Sequence, residues 1–223
     1  MLHPYLSILS SLLLASALIP VQVAALDSLV SVLERMRVQE ARHFRYRETR
    51  VMAMLAEPWK AEGDLYVSTR QMVIAQRSPR PVTTTISANR LLHIDGERNI
   101  RRSMRLERPF AVPNLEPFMQ LLYGVPGTAG LEREYTIRFE PAERRWQLRL
   151  ESNRREEHDV ARMQVSGATG RGADRLVLES TDGDRTEWQL TLLSQGAAAE
   201  RELRQIRDQL TNCQIPLDCS QPN

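Results

Sequence analysis

From Phe44 to Thr69 apolar and polar residues alternate with a period of two. Phe44, Tyr46 and Glu48 fall on one side, Arg45, Arg47 and Thr49 on the other. After a phase slip near Arg50, Val51, Ala53 and Leu55 share a face. Beyond Glu57-Pro58, Trp59, Ala61, Gly63, Leu65 and Val67 stand opposite Lys60, Glu62, Asp64 and Ser68. Such alternation sends successive side chains to opposite faces of a sheet, so it predicts a long antiparallel pair with one apolar side. The phase slip predicts a β-bulge.

Shorter alternating runs follow at 71–76, 82–88, 91–95 and 99–106, separated by Pro79 and Pro81, by Asn89-Arg90 and by the hairpin signal Asp95-Gly96. Strand patterns resume with Tyr135, Ile137 and Phe139, then Trp146, Leu148 and Leu150, then Met163 and Val165, Leu176 and Leu178. Past the Asp182-Gly183 turn come Trp188, Leu190 and Leu192. Three stretches have helical spacing instead. Asp27 or Ser28 caps the first, which runs to about residue 42 with Leu26, Leu29, Val30, Leu33 and Met36 in phase. The second, 114–123, carries Leu115, Phe118, Met119 and Leu122, is ended by Gly124, and leads into a Gly127-Thr128-Ala129-Gly130 loop. The third, 197–210, carries Ala199, Leu203, Ile206 and Leu210. The reading is an α+β domain of about ten or eleven antiparallel strands, paired as successive hairpins, with the helices across the apolar side.

The amino terminus is a targeting segment. Leu12 to Ile19 is an apolar run too short for a membrane span, and Val23-Ala24-Ala25 offers the small residues of a cleavage site, which makes 1–25 a signal peptide. The remainder, 26–223, is long enough for one domain with its own core. The expected product is exported, soluble and periplasmic. Cys213 and Cys219 fit that compartment, where a disulfide closing their short loop is the default.

Charge and motifs exclude more than they select. There are 30 basic and 28 acidic residues, and all the basic ones except Lys60 are Arg. Pairs such as Arg101-Arg102 and Arg144-Arg145 have acidic residues among them and no aromatic stacking platform, which argues for solvated strand faces and against nucleic acid. His43, His93 and His158 are scattered, with no H-E-x-x-H, so no metal site is expected. There is no G-x-S-x-G nucleophile elbow. Gly167-x-x-Gly170-x-Gly172 has the look of a phosphate loop but joins two strand patterns, without the helix amino terminus that an anion needs. Glu48 and Glu62 do not make an acid–base pair on sequence grounds. No catalytic residue and no cofactor are expected, and the chain is read as a non-enzyme. Alternation fits a packed core as well as an open groove.

One ordered series of residues adds to this. Phe44-x-Tyr46-x-Glu48, Leu55 with Pro58, Gly63-Asp64-Leu65-Tyr66-Val67, Trp146-x-Leu148-x-Leu150, Gly167 and Asp182-Gly183-Asp184 occur in the order found in LolA-like outer-membrane lipoprotein carriers. The chain resembles that family over nearly all of 26–223, and particularly the LolA-related proteins of aryl-polyene pathways. The resemblance implies an unclosed antiparallel β half-barrel with a helical lid over its concave face. It implies an apolar groove along Trp59, Leu65, Val67, Ile137, Phe139, Leu148, Leu150 and Leu190. The lid would be formed by Leu29, Leu33, Met36, Phe118 and Leu122, and Arg70 is the candidate latch, binding lid carbonyls. The implied function is a monomeric periplasmic carrier that shields the acyl chains of a lipoprotein, lipid or polyene-linked cargo. It would travel from an inner-membrane release complex or exporter to an outer-membrane receptor. The alternative is a lipid-sensing or docking module of the same shape. Arg70 lies one residue beyond the family's position, and Glu151-Ser152 replaces a proline after W-x-L-x-L, departures that favour a specialised carrier of lipids or polyene-linked acyl groups.

Overall fold

The structure, a computed structural model, describes residues 27–107, 112, 115–124, 129–153 and 160–211. The expected signal peptide 1–25, Leu26, Gly127-Thr128, His158 and the Cys213/Cys219 pair lie outside the described residues. In chain order the elements are α1 (Leu29–Met36), β1 (Arg42–Val51), β2 (Trp59–Val67), β3 (Gln71–Ser78), β4 (Val82–Ser87), β5 (Arg90–Asp95) and β6 (Ile100–Arg105). Then come α2 (Glu116–Tyr123), α3 (Ala129–Glu132), β7 (Tyr135–Glu140), β8 (Arg145–Ser152), β9 (Val160–Ala168), β10 (Arg175–Ser180), β11 (Arg185–Gln195) and α4 (Ala197–Thr211).

The strands form one antiparallel sheet in the order β6-β5-β4-β3-β2-β1-β11-β10-β9-β8-β7. Hairpins build each half, and the β1–β11 ladder, from Arg42 opposite Gln195 to Val51 opposite Arg185, joins the halves. β6 and β7 are the two edges, so the barrel is not closed. Because paired residues share a face, the register traces belts across the concave side. One runs Phe139–Leu148–Val165–Leu176–Trp188–Glu48–Ala61. Another runs Leu192–Phe44–Leu65–Ile74. Two glycines have steric reasons. A Cβ on Gly63 would lie 2.2 Å from the Ala75 carbonyl oxygen, and one on Gly167 would lie 2.7 Å from the Trp146 ring and 2.3 Å from the Gly172 carbonyl oxygen.

Several expectations need correction. α1 stops at Met36 and not near residue 42: the apolar phase ends there, and Arg37 turns extended at φ −55°, ψ 139°. Within α1 the buried face is Leu29, Val32, Leu33 and Met36, while Val30 is exposed. The phase slip near Arg50 is a strand end and not a bulge. The β1–β2 register is continuous from Arg42 to Arg50, and Val51 and Leu55 are exposed around the hairpin tip. Register shifts occur instead at His43/Phe44 against β11 and at Glu62/Gly63 against β3. Ala129 and Gly130 belong to the single turn α3, which buries Leu131. Finally, α4 lies on the convex side. Gly196, at φ +63°, reverses the chain, and Leu203 packs with Tyr66 and Val73, which point away from the concave face.

Candidate functional site

α1 and α2 cover the concave face. Val32, Leu33 and Met36 from α1 join Phe118, Met119, Leu121 and Leu122 from α2 in one apolar cluster with the inward residues of the sheet. Burial of such surface stabilises by about 25 cal/mol per Å² removed from water, which holds the helices down. The cover is incomplete. Between the helices and β1, β2 and β11 lies a cavity of about 940 Å³, walled by Phe44, Leu65, Val67, Leu190, Phe118 and Leu122. Its mouth is polar, with Arg35, Arg42 and Arg171 near the half-exposed Leu192. The volume lies within the range of ordinary ligand sites, about 300–1,000 Å³.

Polar contacts fix α1 in place. Ser28 and Ser31 form a capping box, with backbone N–H to hydroxyl distances of 3.1 and 3.2 Å. Asp27 is paired with Arg35 and accepts the Gly170 N–H at 2.9 Å. Arg35 Nε donates to the Arg171 carbonyl at 3.4 Å, and the indole N–H of Trp146 donates to the same carbonyl at 3.1 Å. The Gly167–Gly172 connection is therefore the seat of α1. The Val38 N–H donates to the Leu122 carbonyl at 3.0 Å, tying the end of α1 to α2. Arg42 donates to the carbonyls of Arg35 (2.9 Å) and Arg37 (3.2 Å). Burial lowers its pKa, opposed by Glu40.

The expected site residues separate into groups. Leu65, Val67 and Leu190 line the cavity, as do Met36, Phe118 and Leu122 from the helices. Leu29 and Leu33 pack in the cluster beneath the helices. Leu148 and Leu150, both 0% exposed, belong to filled core under β8. Ile137 and Phe139 are half-buried and packed against that core. Trp59 lies at the other end of the concave face, its ring 4.7 Å from the Arg50 guanidinium. Arg70 is exposed in the β2–β3 turn, where its backbone N–H donates to Ser68 Oγ at 3.4 Å. The carbonyl-binding role expected of it is filled by Arg42, which the sequence reading missed. An arginine just ahead of the Phe44-x-Tyr46-x-Glu48 alternation was the available signal.

A second cavity, of about 710 Å³, occupies the concave face towards the β1–β2 hairpin. Tyr46 and Trp188 stack beside it with ring centroids 5.3 Å apart. Glu48, buried on the same face, is held by Arg50 at 2.6 Å. Among the described residues no group of three or more His, Cys, Asp or Glu side chains could hold a metal ion, and no helix is long and apolar enough to cross a membrane.

A half-open sheet with a two-helix cover over an apolar cavity defines a binding fold. Residues 21–215 match the family of outer membrane lipoprotein carrier protein LolA-like proteins, and the chain belongs to that family. No curated protein matches it. Among solved structures, it is similar to a LolA superfamily protein from Nitrosomonas europaea, with 8% identity, 75% of this chain and 90% of that chain covered, and a TM-score of 0.39. It is also similar to a conserved protein from Thermus thermophilus, with 11% identity, 85% and 94% covered, and a TM-score of 0.44.

Proposed function

We propose that this protein is a periplasmic carrier that shelters the acyl chains of a lipoprotein or lipid cargo in the cavity under α1 and α2. The observation that carries this reading is the cavity itself, whose wall of Phe44, Leu65, Val67 and Leu190 runs under the helices to the half-exposed Leu192 at its mouth. Each methylene moved out of water gains about 0.8 kcal/mol, so a long chain crosses an aqueous compartment only in such a shelter. Loading requires α1 to lift, and its attachment by a few hydrogen bonds to Arg42 and the Gly170–Gly172 loop suits a cover that opens. The export step is part of the proposal, with cleavage after Ala25. The carrier would take cargo from an inner-membrane release complex or exporter and deliver it to an outer-membrane receptor, acting as a monomer and without catalysis.

The test is direct binding. Purified, delipidated protein should bind palmitate and a triacylated peptide, read by displacement of an apolar fluorescent dye. Leu192→Glu places a carboxylate at the mouth, where water still reaches it, and should abolish binding while leaving the denaturation midpoint close to the parent's. A parent that binds neither ligand would refute the carrier reading.

A further inference from the structure

The second cavity differs from the first in its polar content. Its walls are apolar, with Ile74, Ile86, Leu91, Leu115, Val160 and Leu178. Yet two uncharged donors on its lining residues have no partner among the described residues: the Tyr46 hydroxyl and the Trp188 indole N–H, on side chains 1% and 4% exposed. A donor taken from water and left unpaired carries its full desolvation penalty. An indole N–H only donates, so nothing but an acceptor satisfies it. Burial raises the Tyr46 pKa, and the Glu48 charge adds to the shift, so the phenol remains a donor at any physiological pH.

The charges around the cavity say what kind of acceptor fits. Arg50 is paired with Glu48 at 2.6 Å. Arg80 lies 2.9 Å from Asp95, an ion pair although not aligned as a hydrogen bond. His93 shares a hydrogen bond with Thr84 at 3.1 Å, and burial, with Arg102 and Arg80 nearby, keeps its pKa low against the pull of Asp95. Asp182 and Asp184 add negative charge at the rim. The lining arginines Arg50 and Arg80 are already ion-paired, which leaves a phosphate or carboxylate unsupported and suits a neutral oxygen.

Position supplies the rest. Tyr46 follows Phe44 on the concave side of β1, and Trp188 precedes Leu190 on that of β11. One such step is about 7 Å, so the donors stand immediately beyond the wall of the first cavity. We propose that the second cavity binds the ester or amide linkage of an acyl chain, with the Tyr46 hydroxyl and the Trp188 N–H donating to its oxygens. The inference rests on the carrier reading for the location of the chain itself.

Two probes separate the claims: 1-palmitoylglycerol and 1-O-hexadecylglycerol, which share chain length and headgroup and differ in the carbonyl. The parent should bind the ester about ten-fold more tightly than the ether, the value of a well-made hydrogen bond. Tyr46→Phe and Trp188→Phe should each erode that preference, and the double variant should abolish it. Tyr46→Phe should also melt at or above the parent temperature, because it deletes an unpaired buried donor; a structural hydroxyl would give the opposite shift. Equal affinity of the parent for both probes overturns the inference and leaves the carrier reading standing. Binding of neither probe overturns both. If a variant fails to fold, the ester-to-ether ratio of the parent still decides.

Discussion

Arg42 Nη1 donates to the carbonyl oxygen of Arg35 at 2.9 Å, binding the first strand of the sheet to the last turn of α1. The closing carbonyls of a helix have no partner within it, and a cation there also meets the negative end of the helix dipole. With the Arg37 carbonyl held as well, one guanidinium satisfies two acceptors. Hydrogen bonds to charged groups contribute about 1.5–3 kcal/mol. Arg42→Ala should therefore raise amide exchange across 29–36 by at least ten-fold while leaving β3–β5 unchanged. Arg70→Ala should leave α1 exchange as in the parent. Unaltered α1 exchange in Arg42→Ala would dismiss the latch.

On the convex face His43 holds α4. Its Nε2 lies 2.9 Å from Asp64 and its Nδ1 lies 2.5 Å from Glu202 of the helix, while the Tyr66 ring stacks on it at 4.1 Å. Burial, with help from Asp64 and Glu202, pushes the Tyr66 hydroxyl up to about 12. His43→Phe keeps the stacking but removes one partner from each carboxylate, leaving Asp64 with Arg77 at 3.1 Å and Glu202 with the Ser194 hydroxyl at 3.2 Å, a loss of about 1 kcal/mol. Exchange should accelerate across 197–210 and not in α1, the reverse of the Arg42 variant. Equal acceleration in both helices would mean that neither contact is local.

These two contacts lie beyond what was legible in the sequence. Period-two alternation located the strands, and the spacing of Leu29, Leu33 and Met36, and of Phe118 and Leu122, picked out the covering helices, because burial imposes those periods directly. Alternation assigns a face but not what sits above it. Leu148 and Leu65 have the same pattern, yet one is filled core and the other cavity wall. The stripe of α4 fits either face of the sheet, and only the outward patch of Tyr66 and Val73 decides. Arg42 is one arginine among many, and the Tyr46–Trp188 stack depends on the β1–β11 register, a pairing between the two ends of the described chain.

Glu187 gives a pH signature. Arg175 grips its carboxylate from Nε at 2.8 Å and Nη2 at 2.9 Å, and Arg185 adds a third contact at 3.0 Å. The Arg175 hydrogen bonds, followed by its charge, lower the Glu187 pKa from 4.5 to about 2. A folded pKa below the unfolded one stabilises above the unfolded value, and the gain disappears as pH falls from about 4.5 towards 2. Because Arg175 is 40% exposed, screening reduces the contribution to about 1 kcal/mol. Urea midpoints measured across that window should fall less steeply in Glu187→Gln than in the parent. Parallel profiles would show the pair to be energetically silent.

Cys213 and Cys219 are expected to form a disulfide in protein made in the periplasm. A loop this short gives at most about 2–3 kcal/mol, and the sheet should fold without it. Alkylation followed by intact-mass measurement, with and without reductant, distinguishes a bridge from two thiols. Two alkylated cysteines in unreduced protein would count against it.

Core and cavity wall should respond oppositely to the same substitution. Leu148 is 0% exposed, with Phe139 and Val165 as its cross-strand neighbours. Leu148→Ala opens a void in filled core and should cost about 2–5 kcal/mol. Leu190 is also buried, but it faces existing space. Leu190→Ala removes fewer contacts and should cost under about 2 kcal/mol. It also removes part of the surface offered to an acyl chain, so palmitate affinity should fall several-fold, whereas Leu148→Ala should retain it at temperatures where the variant is folded. Denaturant midpoint and palmitate affinity, taken on the same two proteins, give the pattern. The reverse, with stability intact but binding lost in Leu148→Ala, would move the chain from β1 and β11 to β8.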